Sequence, residues 1–509
     1  MSTTHKKILS EADLLKTLAK LKLQKKKICH CHGTFDLMHA GHIKYLQKSR
    51  ELGDVLVVSL TADSYVNKGP GRPVFNHQIR AENLAALECV SFVVINEDFT
   101  AEDIIKKIKP DLYIKGSDYL KPEDDITGNI KKEINAVSSV GGKIHFTNEI
   151  TFSSSKLINN YFDVFSRETR DFLQKFSKDY SGQEIFDQID SLRNLRVLII
   201  GDAIIDEYHY VNSLGETGKG NALAAKYSHE EFFLGGSLAV ANHVANFSKN
   251  VTLLTALGDK NNKEKIIKNN LEKNVKPIFF YFNDSPTLTK RRFVDNDLNK
   301  FFEIYFFGEN PKFVGGEKQI INFLQKNLAK FDAVIVADFG NGFITQEMKK
   351  IISSKSKFLA VNTQLNSGNR GYNVITQYER ADFISLNEPE LRLATHNKNE
   401  DIKSLMPQVA RKLAAKFITV TQGTKGAVML NFDKKYFCSI PALSSRVIDR
   451  VGAGDAYLSL SSLCLAADLD FTIANFVGSV AAAMDVQIVC NREPIDNTNL
   501  KKFINTILK

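Results

Sequence analysis

Asp449-Arg450-Val451-Gly452-Ala453-Gly454-Asp455-Ala456-Tyr457 is the stretch from which the rest of the chain can be read. A polar, strand-like segment from Lys435 to Ile440 and a turn at Pro441 precede it; an apolar segment from Ala456 to Leu469, expected as a helix, follows. Two glycines where a loop enters a helix let backbone N–H groups converge on an anion, and the helix N-terminus adds positive partial charge. Asp455 stands at that junction, beside the place a phosphoryl group would occupy. A carboxylate there can take the proton of an attacking hydroxyl while the N–H groups stabilise the charge on the transferring group. The competing reading, a glycine-rich helix start with a capping Asp, leaves Asp449, the paired glycines and Asp455 unexplained as a set.

The stretch resembles the D-x-x-G-A-G-D signature of the ribokinase-like (PfkB) carbohydrate kinases. The resemblance implies that Asp455 is the catalytic base and that the backbone of Gly452, Ala453 and Gly454 forms the anion hole. Further likeness runs from Leu195 to about Ala483. Leu195 to Gly201 reads as a buried strand, followed by Asp202 and Asp206. The resemblance implies an acid here that contacts sugar hydroxyls, with a capping or turn role as the alternative. Tyr208 to Leu234 breaks the strand–helix alternation and is expected as a small β lid over the sugar.

Gly235 to Ala245 is similar to the G-G-x-x-N-V-A segment of sugar kinases, in which paired glycines (Gly235, Gly236) let substrate approach the backbone. Ala239 or Val240 occupies the family's Asn position, and Asn242 lies beyond it. Thr287 to Arg292 resembles the heptose kinase's T-x-T-K-x-R; Lys290 and Arg292 are candidates for a distal phosphate, or members of an ordinary charged strand. Asn387-Glu388-Pro389-Glu390 matches N-x-x-E, which implies that Asn387 and Glu390 order Mg²⁺; a carboxamide and a carboxylate suit that hard cation. Thr421 to Gly426 matches T-x-G-x-x-G, with Thr421, Gly423 and Gly426 at the ATP. The small-residue segment Ala474 to Met484 is expected under the adenine.

The N-terminal part has its own rhythm. Ser10 to Asp13 looks like a capping box before a helix to about Leu23. Strands are expected at Lys27–His32, Val55–Leu60, Ser91–Ile95, Asp111–Ile114 and Lys143–Phe146, alternating with helices at Asn76–Glu88, Ala101–Ile108 and Ile126–Val137. Such alternation implies a parallel sheet covered by helices, with ligands beyond the carboxyl ends of its strands. Gly33-Thr34-Phe35-Asp36-Leu37-Met38-His39-Ala40-Gly41-His42 lies at that location after the first strand. Nucleotidyl transfer needs positive donors around an α-phosphate rather than covalent help. His39, His42 and Lys44 suit that task, against the alternative of a helix with two partly exposed histidines.

This module resembles the cytidylyltransferase-type nucleotidyltransferases, whose G-x-F-D-x-x-H-x-G-H appears as Gly33 to His42; the likeness runs from about Cys29 to Ile158. Gly69 to Val74 with Arg80, and Ile114 to Tyr119, resemble the heptose-phosphate adenylyltransferase branch. Ser153, Ser154 and Ser155 stand where that family has a Ser/Thr-rich helix start holding the β/γ phosphates. The nucleotide implied here is ATP or CTP.

The expected plan is α/β in two modules: a Rossmann-like nucleotidyltransferase at 1–160, a helical linker at 161–190, and a ribokinase-like kinase with a β lid at 191–509. The dispersed charge (+9 net) offers no basic arm with interleaved aromatics, so no nucleic-acid partner is expected. Six cysteines suit a reducing cytoplasm rather than a disulfide scaffold. No apolar run approaches the roughly 18 residues of a membrane span. Together the modules resemble the bifunctional heptose 7-phosphate kinase / heptose 1-phosphate adenylyltransferases, with the order reversed. The implied partners are a sugar phosphate, Mg-ATP and nucleoside triphosphates, and a homo-oligomer through the lid strands. A CDP-alditol or other glycan-precursor enzyme, and a catalytically reduced nucleotide-binding scaffold, are the alternatives.

Overall fold

The computed structural model describes residues 5–66, 72–116, 129–147 and 165–509, apart from the single residues 219, 310, 370 and 445. The chain forms two compact units, one of residues 1–166 with 501–509, the other of residues 167–500.

The first unit is built on a five-stranded sheet: β1 (Ile28–Gly33), β2 (Val55–Thr61), β3 (Phe92–Asn96), β4 (Leu112–Lys115) and β5 (Lys143–Phe146), in the order β3-β2-β1-β4-β5. Every pairing is parallel. The continuous apolar run of β2 is buried at all its positions, as a strand covered on both faces must be. Along β1, Cys29 and Cys31 pack with Leu46 and Leu84, from helices Ala40–Glu51 and His77–Ala85. Ile28 packs on the other face with Leu14, Ile105 and Val137, from helices Glu11–Leu23, Glu102–Ile108 and Asn129–Ser139. The first helix begins where its cap demands: Ser10 Oγ accepts the Asp13 N–H at 3.2 Å and donates to the Asp13 carboxylate at 2.8 Å.

The second unit carries two sheets. Its strands are β6 (Arg196–Gly201), β7 (Ala203–Glu216), β8 (Leu223–Gly236), β9 (Asn250–Lys260), β10 (Val275–Pro286), β11 (Thr289–Val294), β12 (Lys300–Phe306), β13 (Lys312–Phe313), β14 (Ala333–Asp338), β15 (Leu359–Thr363), β16 (Phe383–Asn387), β17 (Phe417–Thr421), β18 (Ala427–Asn431) and β19 (Tyr436–Ile440). The large sheet runs β13-β10-β9-β6-β14-β15-β16-β17-β18-β19, parallel from β10 to β17 and antiparallel at both ends. The small sheet, β12-β11-β7-β8, is the lid. It is larger than the expected 208–234: its hairpin starts at Ala203, so Asp206 lies in a strand, and β11 contributes Lys290 and Arg292.

Two boundaries depart from expectation. From Arg167 onward the supposed linker at 161–190 consists of helices Arg167–Asp179 and Gly182–Ser191 that belong to the second unit. Phe176 stacks on Phe476 at 4.1 Å, and Tyr180 Oη donates to Asp470 at 3.3 Å. Phe176 and Tyr180 are therefore packing residues. Residues 501–509 group with the first unit rather than the second.

Candidate active site

The helix expected from Ala456 starts at Ala453, so Gly454 and Asp455 lie in its first turn. Its N-cap is Gly452, with φ +105°, a conformation only glycine adopts readily, and no side chain caps the helix. The first-turn N–H groups are thus left for a ligand. A Cβ on Gly452 would meet the side chains of Asn491 and Asp485.

These residues form one wall of a cavity of about 950 Å³. Its lining includes Asp206, Lys290, Arg292, Tyr305 and Phe339, and also Asn387, Glu390, Thr421, Gly423 and Gly426, together with Gly452, Ala453, Gly454 and Asp455. Asp455 is buried, and burial followed by the nearby Asp206 charge pushes its carboxyl up to about 7, with Lys290 acting in the opposite direction. A carboxylate near 7 is matched to proton abstraction at neutral pH.

Lys290 has its ammonium between the rings of Phe339 (5.5 Å) and Tyr305 (5.6 Å). Burial holds it below the usual lysine range, opposed by Asp206. Arg292 is committed differently. Its guanidinium pairs with Asp206 and donates through Nε to Glu303 at 3.1 Å. The two cations expected together at a distal phosphate both line the cavity but differ, Lys290 lying by two aromatic rings and Arg292 already holding two carboxylates.

The paired glycines have a steric reason. A Cβ on Gly235 would collide with the Asp206 carboxylate; one on Gly236, which has φ +58°, would meet the Asp202 carbonyl at 2.6 Å. Gly236 lines the cavity. Asp202 is not among the residues lining it. Its Oδ2 accepts the N–H groups of Phe339 (2.9 Å) and Asn341 (3.4 Å), which is the turn role of the two open readings. Asn242 also corrects expectation: its side chain donates to the Asn270 carbonyl (2.9 Å) and accepts the Glu272 N–H (2.9 Å), so it fastens a neighbouring loop outside the cavity.

Also in the cavity wall, Asn387 and Glu390 form a reciprocal capping box. Asn387 Oδ1 accepts the Glu390 N–H at 2.9 Å, and Glu390 Oε2 accepts the Asn387 N–H at 2.8 Å. Glu390 Oε1 takes the Leu365 N–H at 3.1 Å. Burial raises this carboxyl to about 7. Its remaining lone pairs, and its place in the cavity wall, fit a divalent cation held mainly by phosphates and water; among the described residues no group of three His, Cys, Asp or Glu forms a metal site by itself. The sequence reading missed Asn362, near the end of β15, and Gln364 and Asn366 just beyond it, carboxamides that line the cavity. A run of amides beyond a buried strand was the available signal.

In the first unit His39 is the N-cap of helix Ala40–Glu51. Its Nδ1 accepts the His42 N–H at 3.4 Å, and the two rings stack at 3.9 Å. Phe35, at φ +48°, presents its edge to His42 at 5.4 Å, and Gly33 ends β1 against the Phe35 ring. Asp36 is buried and accepts the N–H groups of Val74 (2.7 Å) and Phe75 (3.3 Å). Lys44 is exposed on the same helix. Arg80 corrects expectation. It is fully buried and donates to the carbonyls of Thr34 (2.5 Å), Thr61 (2.9 Å) and Phe75 (2.8 Å) and to Asp63 (2.6 Å), so it braces the loops instead of reaching a phosphate. A feature missed from sequence is Ser59, whose Oγ lies 2.7 Å from His30 Nε2 and 2.8 Å from His32 Nδ1. The segments at 69–71, 117–119 and 151–156, with Ser153, Ser154 and Ser155, lie outside the described residues.

Residues 30–161 match the cytidylyltransferase-like family model. In the same part, a bifunctional protein HldE of Helicobacter pylori is 44% identical over 125 residues, covering 24% of this chain and 26% of that protein. A bifunctional protein HldE of Aliarcobacter butzleri is 44% identical over 144 residues, 28% of this chain and 30% of that protein. The chain thus spans under a third of the length of these relatives. Ribokinase from Giardia lamblia aligns with a TM-score of 0.49 at 16% identity, over 60% of this chain and 99% of that one. Residues 194–496 match the family model described as pfkB family carbohydrate kinase; through this larger part, the chain belongs to that family.

Proposed function

We propose that the protein couples two transfers. The second unit phosphorylates the anomeric hydroxyl of a sugar phosphate with Mg-ATP, and the first joins the resulting sugar 1-phosphate to a nucleotide with release of pyrophosphate. The observation that carries the kinase half is the single cavity that holds Asp455, an uncapped helix start, the Asp206–Arg292 pair with Lys290, and the Asn387–Glu390 box.

An acceptor hydroxyl near Asp455 gives its proton to that carboxylate. Its oxygen attacks the γ-phosphoryl as the bond to the β,γ-bridging oxygen breaks and ADP leaves, and the growing charge falls to the N–H groups of the first helical turn. Lys290 supplies the cation at the acceptor end, and Asp206 with Arg292 offers an acceptor and donor pair to sugar hydroxyls. Asn387 and Glu390 would hold Mg²⁺ through its waters, and the ion neutralises phosphate charge when bound. In the first unit the cap geometry gives His39 its role: with Nδ1 accepting a backbone N–H, Nε2 is the ring nitrogen left to carry the proton toward a phosphate oxygen. The matched relatives named as bifunctional support pairing the two activities. Heptose, with ADP or CDP as the activating group, is the sugar nucleotide proposed, for surface-glycan precursor synthesis in the cytoplasm, and the lid strands offer an edge for a homo-oligomer.

The test is a two-pool mass-spectrometric assay. One pool holds Mg-ATP and D-glycero-D-manno-heptose 7-phosphate; the other holds heptose 1-phosphate with each nucleoside triphosphate. A heptose bisphosphate and one nucleotide-heptose are expected. No turnover in either pool, with turnover on other sugar phosphates put in their place, discards heptose; no turnover with any sugar phosphate discards the bifunctional reading.

A further inference from the structure

Asp449 opens the signature stretch, yet it is not among the residues lining the cavity, and none of the steps above uses it. Its carboxylate collects four donors. Oδ1 accepts the N–H groups of Arg450 (2.7 Å) and Val451 (3.2 Å); Oδ2 accepts the Cys490 N–H (3.1 Å) and the phenol of Tyr208 (2.6 Å). The first three bonds fix the turn that leads into Gly452. The fourth comes from the lid, since Tyr208 lies on β7.

Tyr208 also reports on the acceptor end. It is 1% exposed, and Arg292, opposite it in register on β11, places its guanidinium 5.4 Å from the phenol ring. Arg292 is the partner of Asp206, and both face the cavity. Tyr208, Tyr210, Phe233, Val294 and Cys490 form an apolar cluster on which Val451 packs, around the Tyr208–Asp449 bond. One continuous chain of contacts thus runs from the acceptor pair through the phenol to the turn before the anion hole.

We propose that Tyr208 and Asp449 are positioning residues, a latch through which the seated lid sets the anion hole. The hole is then held in its transfer geometry only while the lid strand is docked. This goes beyond the proposed function, and only its kinetic arm rests on that reading.

Tyr210 supplies the control. Two residues along the same strand and on the same face, it shares the apolar cluster, but its phenol donates to Glu231 (2.7 Å) of β8, a carboxylate that also takes Arg492 (2.6 Å), and not to Asp449, so Tyr210→Phe keeps the packing and removes a different bond. Hydrogen–deuterium exchange by mass spectrometry would compare the full-length wild type, Tyr208→Phe and Tyr210→Phe. Loss of a buried bond to a charged acceptor is expected to speed exchange across residues 449–455 by about tenfold or more in Tyr208→Phe, and to leave it at the wild-type rate in Tyr210→Phe. On an accepted sugar, kcat should fall by about the same factor while the KM for acceptor holds. Unchanged exchange in Tyr208→Phe overturns the latch, as does equal loosening in both variants, which would mean general lid stiffening. If the wild type phosphorylates no sugar, the proposed function fails, and the exchange comparison still decides the latch.

Discussion

The two units place a helix start at the carboxyl edge of a parallel sheet and use it in opposite ways. In the second, Gly452 leaves the helix without a side-chain cap, and under the proposed function the backbone itself donates to the anion. In the first, His39 caps its own helix, and under the same proposal the donor is the far side of the imidazole. The difference follows from the chemistry each supports. Moving a hydroxyl proton needs a base near neutrality, and burial supplies one by raising Asp455 to about 7. Nucleotidyl transfer needs donors without a base, and the buried titratable group there goes the other way: His30 is pushed down to about 3, chiefly by burial, and stays neutral. Where the proton must move, the pKa is brought to the working pH; where it must stay, it is driven away.

The sharpest way to break this comparison is to remove the base. Asp455→Asn is expected to lower sugar phosphorylation by about 10²–10⁴-fold, the range of general-base catalysis, while pyrophosphate release by the first unit is unaffected. His39→Ala should give the mirror result. Loss of both activities from either substitution would show that the units do not act as separate sites. Next comes the hole: Gly452→Ala must hold φ +105° against Asn491 and Asp485, and a displaced first turn is expected to cost about 10²-fold in kcat. An equal loss in nucleotide affinity without loss of kcat would mean the N–H groups serve ground-state binding alone.

How much of this was legible follows the same division. Local chemistry was readable: the parallel sheets from unbroken apolar runs such as Val55–Leu60, and the cavity residues Asp455, Thr421, Asn387 and Glu390 from motifs that are contiguous in sequence, although the capping box of the last two was not foreseen. What was not readable is which side of a long-range contact a charged residue takes. Arg80 and Arg292 both sat in the right segments, but one is spent on carbonyls from separate loops and the other on Asp206, 86 residues away. Asn242 failed for the same reason, since Asn270 and Glu272 claim it across a loop. The helices after Arg167 read as a linker because their polar outer faces hide single buried contacts, of which Phe176 on Phe476 is one.

A milder test shifts the base without removing it. With Asp455 at about 7, kcat/KM for the kinase reaction should rise with pH up to that value and then level, falling about tenfold per unit below it as the carboxylate protonates. Lys290 opposes the rise in this pKa, so Lys290→Met is expected to move the acid limb to higher pH. An acid limb that stays in place in that variant would assign the titration to another group.

The smallest effect belongs to the group kept from titrating. His30 Nδ1 is buried with no hydrogen-bond partner, and His30 Nε2 and His32 Nδ1 share the single Ser59 hydroxyl at 2.7 and 2.8 Å. The folded pKa of about 3 lies below the roughly 6.5 of an unfolded histidine, so between those values the unfolded chain binds the extra proton. Stability is full above the upper value and is lost as pH falls toward the lower, at up to about 1.4 kcal/mol per unit. Exchange of the β1 amides, followed from pH 7 to 4, reads this slope. His30→Gln, which cannot titrate, should flatten it while leaving the kinase acid limb where it is. A slope unchanged in that variant would place the acid sensitivity of the first unit outside the histidine pair, and the contrast between a pKa tuned for transfer and one tuned for silence would rest on Asp455 alone.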